Sequence, residues 1–208
     1  MTHDESHYIH DIEQLTARFG PVGEASLKKE ADHIHPMYRP LIEASPFAIV
    51  ATSGADGLDA SPRGDPAGFV KIQDEHTLLL PERRGNNRID SLRNLLEDPR
   101  IAMLFLIPGL GETLRVNGTA RISVAPDLLQ QLAMQGKQPQ CVIVIHVERV
   151  YFQCARAIQR SGLWNTAPNR RDLNVPTAGM ILAGLTQDGI DAEKYDRELP
   201  QRQRDTLY

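Results

Sequence analysis

Short apolar runs separated by turn residues, between residues 46 and 153, constrain the fold more than any other feature of the chain. The first run, Phe47–Thr52, ends at Gly54-Ala55-Asp56-Gly57, a sequence typical of a β-hairpin turn. Thr113–Ser123 alternates apolar and polar residues, as a strand with one buried face does. Arg100–Ile107 and Cys141–Val147 are apolar on both faces, which indicates more buried surface than one small barrel needs. We therefore predict a mainly β fold with flanking α-helices, in which six or seven antiparallel strands form a barrel.

Helical periodicity appears before, within and after the predicted strands. Ile12, Leu15 and Phe19 share one face of a predicted helix over residues 11–19, and a second helix is predicted over Glu24–His33. Within the strand region, the pattern predicts helices over Asn87–Glu97 and Pro126–Gln135.

The last part of the chain differs in composition from the barrel region. A helix is predicted over Pro176–Leu185, and residues 188–208 are so highly charged that we expect an irregular arm. We divide the chain into a helical segment packed on the barrel (1–45), the barrel (46–164) and a C-terminal extension (165–208).

Composition excludes several classes of protein. The 208 residues carry a formal net charge of -4, 41% are hydrophobic, and no apolar run is long enough to span a membrane. A pI near 6.0 argues against nucleic acid as the main partner. With two cysteines and no secretory signal pattern near Met1, we expect a cytoplasmic protein without disulfides. The histidine spacing resembles no common metal site, so we predict none.

Four arginines stand close to two strand-like runs and to the start of a helix-like run. They occur in Ser61-Pro62-Arg63-Gly64-Asp65 and in Pro81-Glu82-Arg83-Arg84-Gly85-Asn86-Asn87-Arg88. Guanidinium groups, backbone N–H groups and a helix N-terminus all favour a phosphate dianion. The sequence leaves two interpretations open: a phosphate site for a small cofactor, or a solvated basic loop.

Other residues complete the pattern that a phosphorylated cofactor with a flat ring requires. Arg63, Arg84 and Arg88 supply cations, Ser61, Asn86 and Asn87 supply small polar groups, and Phe69, Leu80, Pro81 and Trp164 supply apolar contacts. Asp65 is expected to orient Arg63. Core or interface packing is an equal alternative for Trp164. A cross-strand salt bridge is an equal alternative for Arg115. We find no nucleophile and base pair and no dinucleotide fingerprint, so no catalytic residue is assigned.

Four ordered motifs carry a resemblance to a known family. They are SPFAIVATSGADGLDASPRGDPAGFV, LLLPERRGNNRIDSLRNLLEDPRIAMLFLIPG, ETLRVNGTARIS and CARAIQRSGLW. Residues 46–164 resemble the FMN-binding split-barrel proteins related to pyridoxamine 5'-phosphate oxidase, and within them a bacterial branch of probable FMN-dependent proteins. The histidine and arginine pattern with which the oxidase binds pyridoxal phosphate is missing, so the resemblance does not imply that reaction.

The resemblance implies a homodimer with FMN sites at the subunit interface. By position, Arg63 and Arg88 match residues that bind the flavin phosphate, with Asn86 and Asn87 as hydrogen-bond donors. Pro81 and Glu82 would line the isoalloxazine ring. Thr113 and Arg115 are expected to help hold the ring from the partner subunit. Arg160, Ser161 and Trp164 match a segment that usually lies close to the cofactor in the dimer.

The function implied is that of an FMN-dependent oxidoreductase, with hydride transfer through flavin N5 to or from an unidentified small substrate. A non-catalytic flavin-binding, flavin-storage or redox-sensing protein is the main alternative. A protein that binds another phosphorylated ligand or a tetrapyrrole on the same barrel is a third.

Overall fold

The structure, a computed structural model, describes residues 4–165, 172–187 and 189–208. Within these residues one sheet forms the centre of the molecule. Its strands are β1 (Phe47–Gly54), β2 (Gly57–Gly64), β3 (Lys71–Asp74), β4 (Thr77–Glu82), β5 (Arg100–Leu106), β6 (Thr113–Ser123) and β7 (Cys141–Gln153). All neighbouring strands are antiparallel in the order β2-β1-β5-β6-β7-β4-β3. The prediction of a mainly β split barrel is thus confirmed, with seven strands.

Strand register places the apolar residues of successive strands side by side in the core. Val50 pairs with Met103, Met103 with Val116, and Val116 with Val150. All four side chains are almost completely buried. Burial of one such side chain is worth roughly 1.5–3 kcal/mol, so this row alone fixes the register of four strands.

The opposite side of the same strands is only half-buried, and we call it the outer face. Its central row joins Pro62, Ile49, Leu104, Arg115 and Tyr151 through adjacent strand pairs. Leu104 and its neighbours on β5 alternate with fully buried positions. The apolar residues of Arg100–Ile107 therefore pack in the core on one side of β5 and form part of an incompletely covered surface on the other.

Along the chain, helices occur before, between and after the strands of the sheet. A 3-10 turn spans Glu5–His7, and the α-helices are α1 (Ile12–Phe19), α2 (Glu24–Lys28), α3 (Arg39–Ala44), α4 (Asp90–Glu97), α5 (Pro126–Gln131), α6 (Arg156–Ser161), α7 (Ala178–Leu185) and α8 (Ala192–Asp205). Ile34 and Ile42 lie in the core, whereas α1 buries no residue. None of the helices in the described ranges has the length and apolar character of a membrane span. The division at residues 45 and 164 stays a prediction.

Helices α2, α4 and α5 are shorter by three residues or more than the sequence pattern predicts. Helix α2 ends at Lys28 and not at His33, because Ala31 pairs with Val150 in an extended bridge. Helix α5 ends at Gln131, because Met134 and Lys137 close a separate tight turn.

Helix α4 begins at Asp90 and not at Asn87. Asn87 and Ile89 have φ angles of 60° and 52°, in the left-handed region that interrupts a right-handed helix. Once begun, α4 is fixed to the barrel by Asn94, whose Nδ2 donates to Thr52 Oγ1 over 3.1 Å.

The expected irregular arm at residues 188–208 was wrong, because α8 covers most of it. Asp191 caps this helix by accepting from the backbone N–H of Lys194, which is a strong start signal. Asp196 accepts from the backbone N–H of Gly179 over 2.8 Å and joins α8 to α7. Helix α8 is highly charged and buries no residue. Its sequence therefore lacks the apolar periodicity from which a helix is predicted.

Gly118 is the position where the sheet tolerates no side chain. Strand β7 carries one extra residue, Glu148, because Asn117 pairs with Arg149 and Gly118 with Val147. A Cβ atom on Gly118 would lie 1.9 Å from the carbonyl oxygen of His146.

We predict that Gly118→Ala lowers the free energy of unfolding by at least about 2 kcal/mol, because backbone must move to admit the methyl group. Urea unfolding followed by circular dichroism measures this change. Gly184→Ala is the control and should not destabilise, since among the described residues no side chain beyond its chain neighbours, and no backbone outside its own helix, lies within 4 Å of its Cβ position. Equal stability of Gly118→Ala and wild type would contradict the close approach.

Candidate functional site

A cavity of about 580 Å³ opens between the end of β2, the end of β4 and the start of α4. Its rim includes the arginine loop, which we define as residues 83–89. Eight of the predicted site residues line this cavity together: Ser61, Arg63, Pro81, Glu82, Arg84, Asn86, Asn87 and Arg88. They come from β2, β4 and the arginine loop, which the fold brings together at one cavity.

Arg63 spans the opening of the barrel. Its Nε donates to Glu82 Oε2 over 3.0 Å, and its Nη2 donates to Ser91 Oγ over 3.3 Å. The Arg63 and Glu82 side chains are 17% and 19% exposed. Nη1 also donates to the carbonyl oxygen of Pro62. Three of the five guanidinium N–H groups are thus engaged, and two are left for a ligand.

We expected Asp65 to orient Arg63, but it pairs with Arg83 instead. Its Oδ2 accepts from Arg83 Nε over 2.9 Å, and its side chain is only 1% exposed. The hydroxyl of Tyr208 donates to the other carboxylate oxygen. This hydrogen bond to Asp65 raises the pKa of the Tyr208 phenol above its ordinary value. Asp65 follows the end of β2, two residues beyond Arg63, and it pairs with Arg83, the residue that follows Glu82.

A polar network covers the cavity wall on β2. The hydroxyl of Ser61 donates to Asp59, and the hydroxyl of Ser91 donates to the same carboxylate. Asp59, Ser61 and Arg63 share one side of β2 because side chains two residues apart point the same way. Ser61 therefore lies in the cavity with its donor already used, and its oxygen lone pairs remain as acceptors.

The arginine loop holds an unusual backbone. Asn87 and Ile89, on either side of Arg88, both have positive φ angles, and a β-branched residue in that region is a genuine outlier. Strain of this kind, of order 1–3 kcal/mol for each residue, concentrates at functional sites. The Arg88 N–H donates to Asn86 Oδ1 over 3.1 Å, and its Nε donates to Asp90 over 2.8 Å.

The two remaining loop arginines differ in their freedom. Arg83 is held by Asp65 and by the carbonyl oxygen of Leu132. Arg84 is exposed and, within the described residues, forms no hydrogen bond or ion pair. Arg84 is therefore a cation at the cavity rim to which no described residue supplies a counter-charge.

The apolar wall of the cavity comes from the barrel. Pro81 is buried on β4, and Cys141 on β7 pairs across the sheet with Glu82, the residue that follows Pro81. Burial raises the pKa of the Cys141 thiol, with a further contribution from the negative charge of Glu82. Phe69 and Leu92 complete this wall. Leu80, which the sequence analysis placed at the cofactor, is fully buried in the core and does not line the cavity.

Five predicted site residues do not line this cavity. They are Thr113, Arg115, Arg160, Ser161 and Trp164. Arg115 Nη1 donates to the hydroxyl of Tyr151 on the outer face. Trp164 Nε1 donates to the carbonyl oxygen of Leu110, in the turn between β5 and β6. Thr113 begins β6 at the same end of the sheet.

Several lining residues were missed by the sequence analysis. Asp59 could have been predicted, because it lies two residues before Ser61 and four before Arg63 and so shares their face of the strand. Ser91, Gln140 and Cys141 carry no local signal, because they reach the cavity only after α4 and β7 pack on the barrel. Within the described ranges, no three His, Cys, Asp or Glu side chains come together as a metal site.

A sequence model of the pyridoxamine 5'-phosphate oxidase family matches residues 34–154, more than half of the chain. This chain belongs to that family. The matched residues include the whole sheet and the arginine loop, so membership of the pyridoxamine 5'-phosphate oxidase family supports binding of a flavin. The match ends at Cys154, before α6 and the C-terminal extension.

Solved structures similar to this family member cover between 56% and 68% of its chain. HupZ of Group A Streptococcus is 25% identical, with 56% of this chain and 91% of that chain covered and a TM-score of 0.46. A Clostridium acetobutylicum protein related to general stress protein 26 of B. subtilis is 15% identical, with coverages of 57% and 86% and a TM-score of 0.45. An FMN-binding protein from Syntrophomonas wolfei is 9% identical, with coverages of 68% and 95% and a TM-score of 0.41. The comparison with curated proteins gave no match.

The Asp65–Arg83 pair gives a direct test of how the cavity is built. We predict that Asp65→Asn lowers the free energy of unfolding by about 3 kcal/mol, because it leaves the Arg83 cation partly buried without its partner. Glu43→Gln is the control, since the Arg39–Glu43 pair is an exposed i,i+4 pair worth less than about 0.5 kcal/mol. Urea unfolding of both variants measures the difference. A loss no larger for Asp65→Asn than for Glu43→Gln would show that the buried pair does not hold this end of the barrel.

Proposed function

We propose that this chain is an FMN-dependent oxidoreductase acting on a small substrate in the main cavity. The observation that carries the proposal is the juxtaposition of a strained, arginine-rich loop with an apolar wall in one cavity of about 580 Å³. That volume lies within the range of cofactor sites. FMN, when bound, supplies reversible redox chemistry at N5 of its ring.

The phosphate end of the cofactor fits the arginine loop. Arg84 has no protein partner in the described residues, Arg88 has only the exposed contact with Asp90, and Arg63 keeps two free N–H groups. A phosphate dianion favours such charge-assisted donors. We therefore propose Arg84 and Arg88 as direct phosphate ligands, with Arg63 beside them and Asn86 and Asn87 as neutral donors.

The ring end fits the wall formed by β4 and β7. Pro81 and Phe69 offer flat apolar contact, and Glu82 lies where the apolar wall meets the polar network. Glu82 is neutralised by Arg63, so its carboxylate adds little negative charge against the cofactor. Ser61 is proposed to contact the polar chain that joins phosphate and ring, through its acceptor lone pairs.

The residues outside the cavity fit a homodimer. Thr113, Arg115 and Trp164 gather at the outer face and at the β5–β6 end of the sheet, away from the cavity. In a two-fold dimer this surface of each subunit can contact the cavity of the other subunit, because the two contacts are equivalent by symmetry. The half-buried outer face supplies apolar area for this contact. We propose that the partner completes each flavin site with these residues and with Arg160 and Ser161.

A flavin-binding protein without catalysis is the second candidate. The described cavity residues include no histidine, and burial raises the pKa of the Cys141 thiol. Flavin chemistry does not require a protein acid or base for every reaction, so this observation does not decide between the two. Oxidation of NADH or NADPH by the FMN-loaded protein, with an added electron acceptor, would favour the enzyme.

Substitutions at the arginine loop test the proposed phosphate site. We predict that Arg84→Gln and Arg88→Gln each weaken FMN binding by about 10- to 100-fold, because each removes a charge-assisted contact worth roughly 1.5–3 kcal/mol. Riboflavin, which has no phosphate, should bind wild type and both variants equally. Flavin fluorescence titration gives both affinities, and Arg121→Gln on the exposed side of β6 is the charge-matched control. Equal FMN affinity in all four proteins would place the phosphate elsewhere.

Disruption of the outer face tests the proposed dimer. We predict that Leu104→Arg yields a folded monomer that no longer holds FMN, since a charge in an apolar interface prevents its burial. Sedimentation and flavin titration are the two measurements. Leu58→Arg, at a tip that is 89% exposed, should remain a dimer with bound FMN. A wild-type monomer, or a Leu104→Arg monomer with wild-type FMN affinity, would contradict sites at the interface.

A further inference from the structure

Four of the seven histidines of the chain lie close together beside the turn between β3 and β4. The centroid of the His76 ring is 6.1 Å from that of His33 and 6.0 Å from that of His146. The His35 ring is 6.1 Å from the His33 ring. None of the four is buried and none lines the main cavity, so the proposed flavin site does not account for this cluster.

The fold brings these histidines together from separate parts of the chain. The backbone N–H of Ile34 donates to the carbonyl oxygen of Glu75 over 2.7 Å, and that of Val147 donates to the carbonyl oxygen of His76 over 2.8 Å. Ile34 and Val147 are both buried in the core, so the backbone beside each ring is fixed. Spacing along the chain could not have predicted the cluster, because these contacts form only when the barrel folds.

His33 presents a free nitrogen to the cluster. Its Nδ1 lies 2.8 Å from Asp32 Oδ1. An ionised carboxylate only accepts hydrogen bonds, so the proton of the neutral ring is on Nδ1 and the lone pair is on Nε2. The hydrogen bond with His33 lowers the pKa of Asp32, which keeps that carboxylate ionised. A carboxylate on the second ring nitrogen is the arrangement that orients metal-binding histidines.

His76 is better placed than His35 to act with His33. His35 Nδ1 accepts from the backbone N–H of Met37 over 3.1 Å, so the proton of its neutral ring is on Nε2 and no lone pair is free. Within the described ranges, the ring nitrogens of His76 make no hydrogen bond, and Glu75 Oε1 lies 3.7 Å from Nε2. Both nitrogens of His76 are therefore open to a ligand.

The distance between the His33 and His76 rings suits a shared metal ion. Two imidazole rings on one metal, with metal–nitrogen distances of about 2.0–2.1 Å, have centroids up to about 6.4 Å apart. The two side chains are 36% and 43% exposed, so each ring can turn about its broad χ2 torsion to face the other. The carboxylates of Asp32 and Glu75 add negative charge beside this position.

We propose that His33 and His76 bind a divalent transition-metal ion of the class that prefers imidazole, Zn²⁺, Ni²⁺ or Cu²⁺. In the part of the chain that the structure describes, no group of three His, Cys, Asp or Glu side chains converges, so water completes the coordination. The site is thus open and exchangeable, unlike a closed structural zinc site. The bound ion links the segment before α3 to the β3–β4 turn, and it does not depend on the flavin.

Calorimetric titration of the full chain, without a histidine tag, with Zn²⁺, Ni²⁺ and Cu²⁺ tests the proposal. We expect saturable binding, tightest for Cu²⁺, and none for Mg²⁺, which prefers oxygen ligands. His33→Gln and His76→Gln should each weaken Zn²⁺ binding at least about 10-fold, because a single histidine remains. The double variant should be little weaker than either single one, since the two rings act as a unit. His10→Gln and His35→Gln are the controls and should keep wild-type affinity.

Asp32→Asn guards against a structural effect of the histidine variants. The Asp32 side chain is 86% exposed, so the fold should be unchanged, and both metal ligands remain. Zn²⁺ binding should still weaken, by about 2- to 10-fold, because the His33 ring loses the carboxylate that fixes its tautomer. Wild-type Zn²⁺ affinity in folded Asp32→Asn would contradict the role of His33 Nε2 as a ligand.

Thermal unfolding gives a second readout of the same site. Zn²⁺ should raise the Tm of wild type, since it binds the folded chain, and should not raise that of His76→Gln. No saturable binding in wild type, or wild-type affinity in folded His33→Gln, would overturn the proposal. So would a loss in His146→Gln equal to that in His76→Gln, which would place the ion between those two rings. FMN affinity should be the same in all these variants, so a failure of the proposed function would leave the metal site standing.

Discussion

Two neighbouring ion pairs across the opening of the barrel determine the rest of the site. Arg63 at the end of β2 meets Glu82 at the end of β4, and Asp65 meets Arg83 one step further along. The order along the chain is Arg63 then Asp65 at the end of β2, and Glu82 then Arg83 at the end of β4. A shift of one side relative to the other would therefore bring like charges together. Buried pairs add little net stability, but removal of one partner costs roughly 3–5 kcal/mol. Their main effect is therefore to fix the distance and register between the two sides of the opening.

This arrangement divides the arginines into two groups. Arg63 and Arg83 are partly buried and matched by carboxylates, so they build the walls of the cavities. Arg84 and Arg88 lie at the rim, and the charge they contribute is largely available to a ligand. The left-handed residues Asn87 and Ile89 bend the loop so that both groups lie around one cavity. Four arginines around one cavity, in a chain with net charge -4, thus concentrate positive charge at one place.

The sequence was sufficient for the sheet and for the location of the arginine loop. Strand alternation and turn residues are local signals, and the alternation of Thr113–Ser123 gave the buried side of β6 correctly. Ion-pair partners could not be predicted in this way, because Arg63 and Glu82 are 19 residues apart and meet only when the barrel forms. Tyr208 and Asp65 are 143 residues apart. Helix α8 was missed because its cap and its contact with α7 carry no apolar periodicity.

A crystal structure of the protein grown with FMN would test the central claim most directly. We predict that the phosphate lies within hydrogen-bond distance of Arg84 and Arg88, and that the ring lies against Pro81 with the partner subunit closing the cavity. The Arg63–Glu82 and Asp65–Arg83 pairs should remain intact. FMN bound with its phosphate away from the arginine loop, or FMN bound within a single subunit at another cavity, would contradict it.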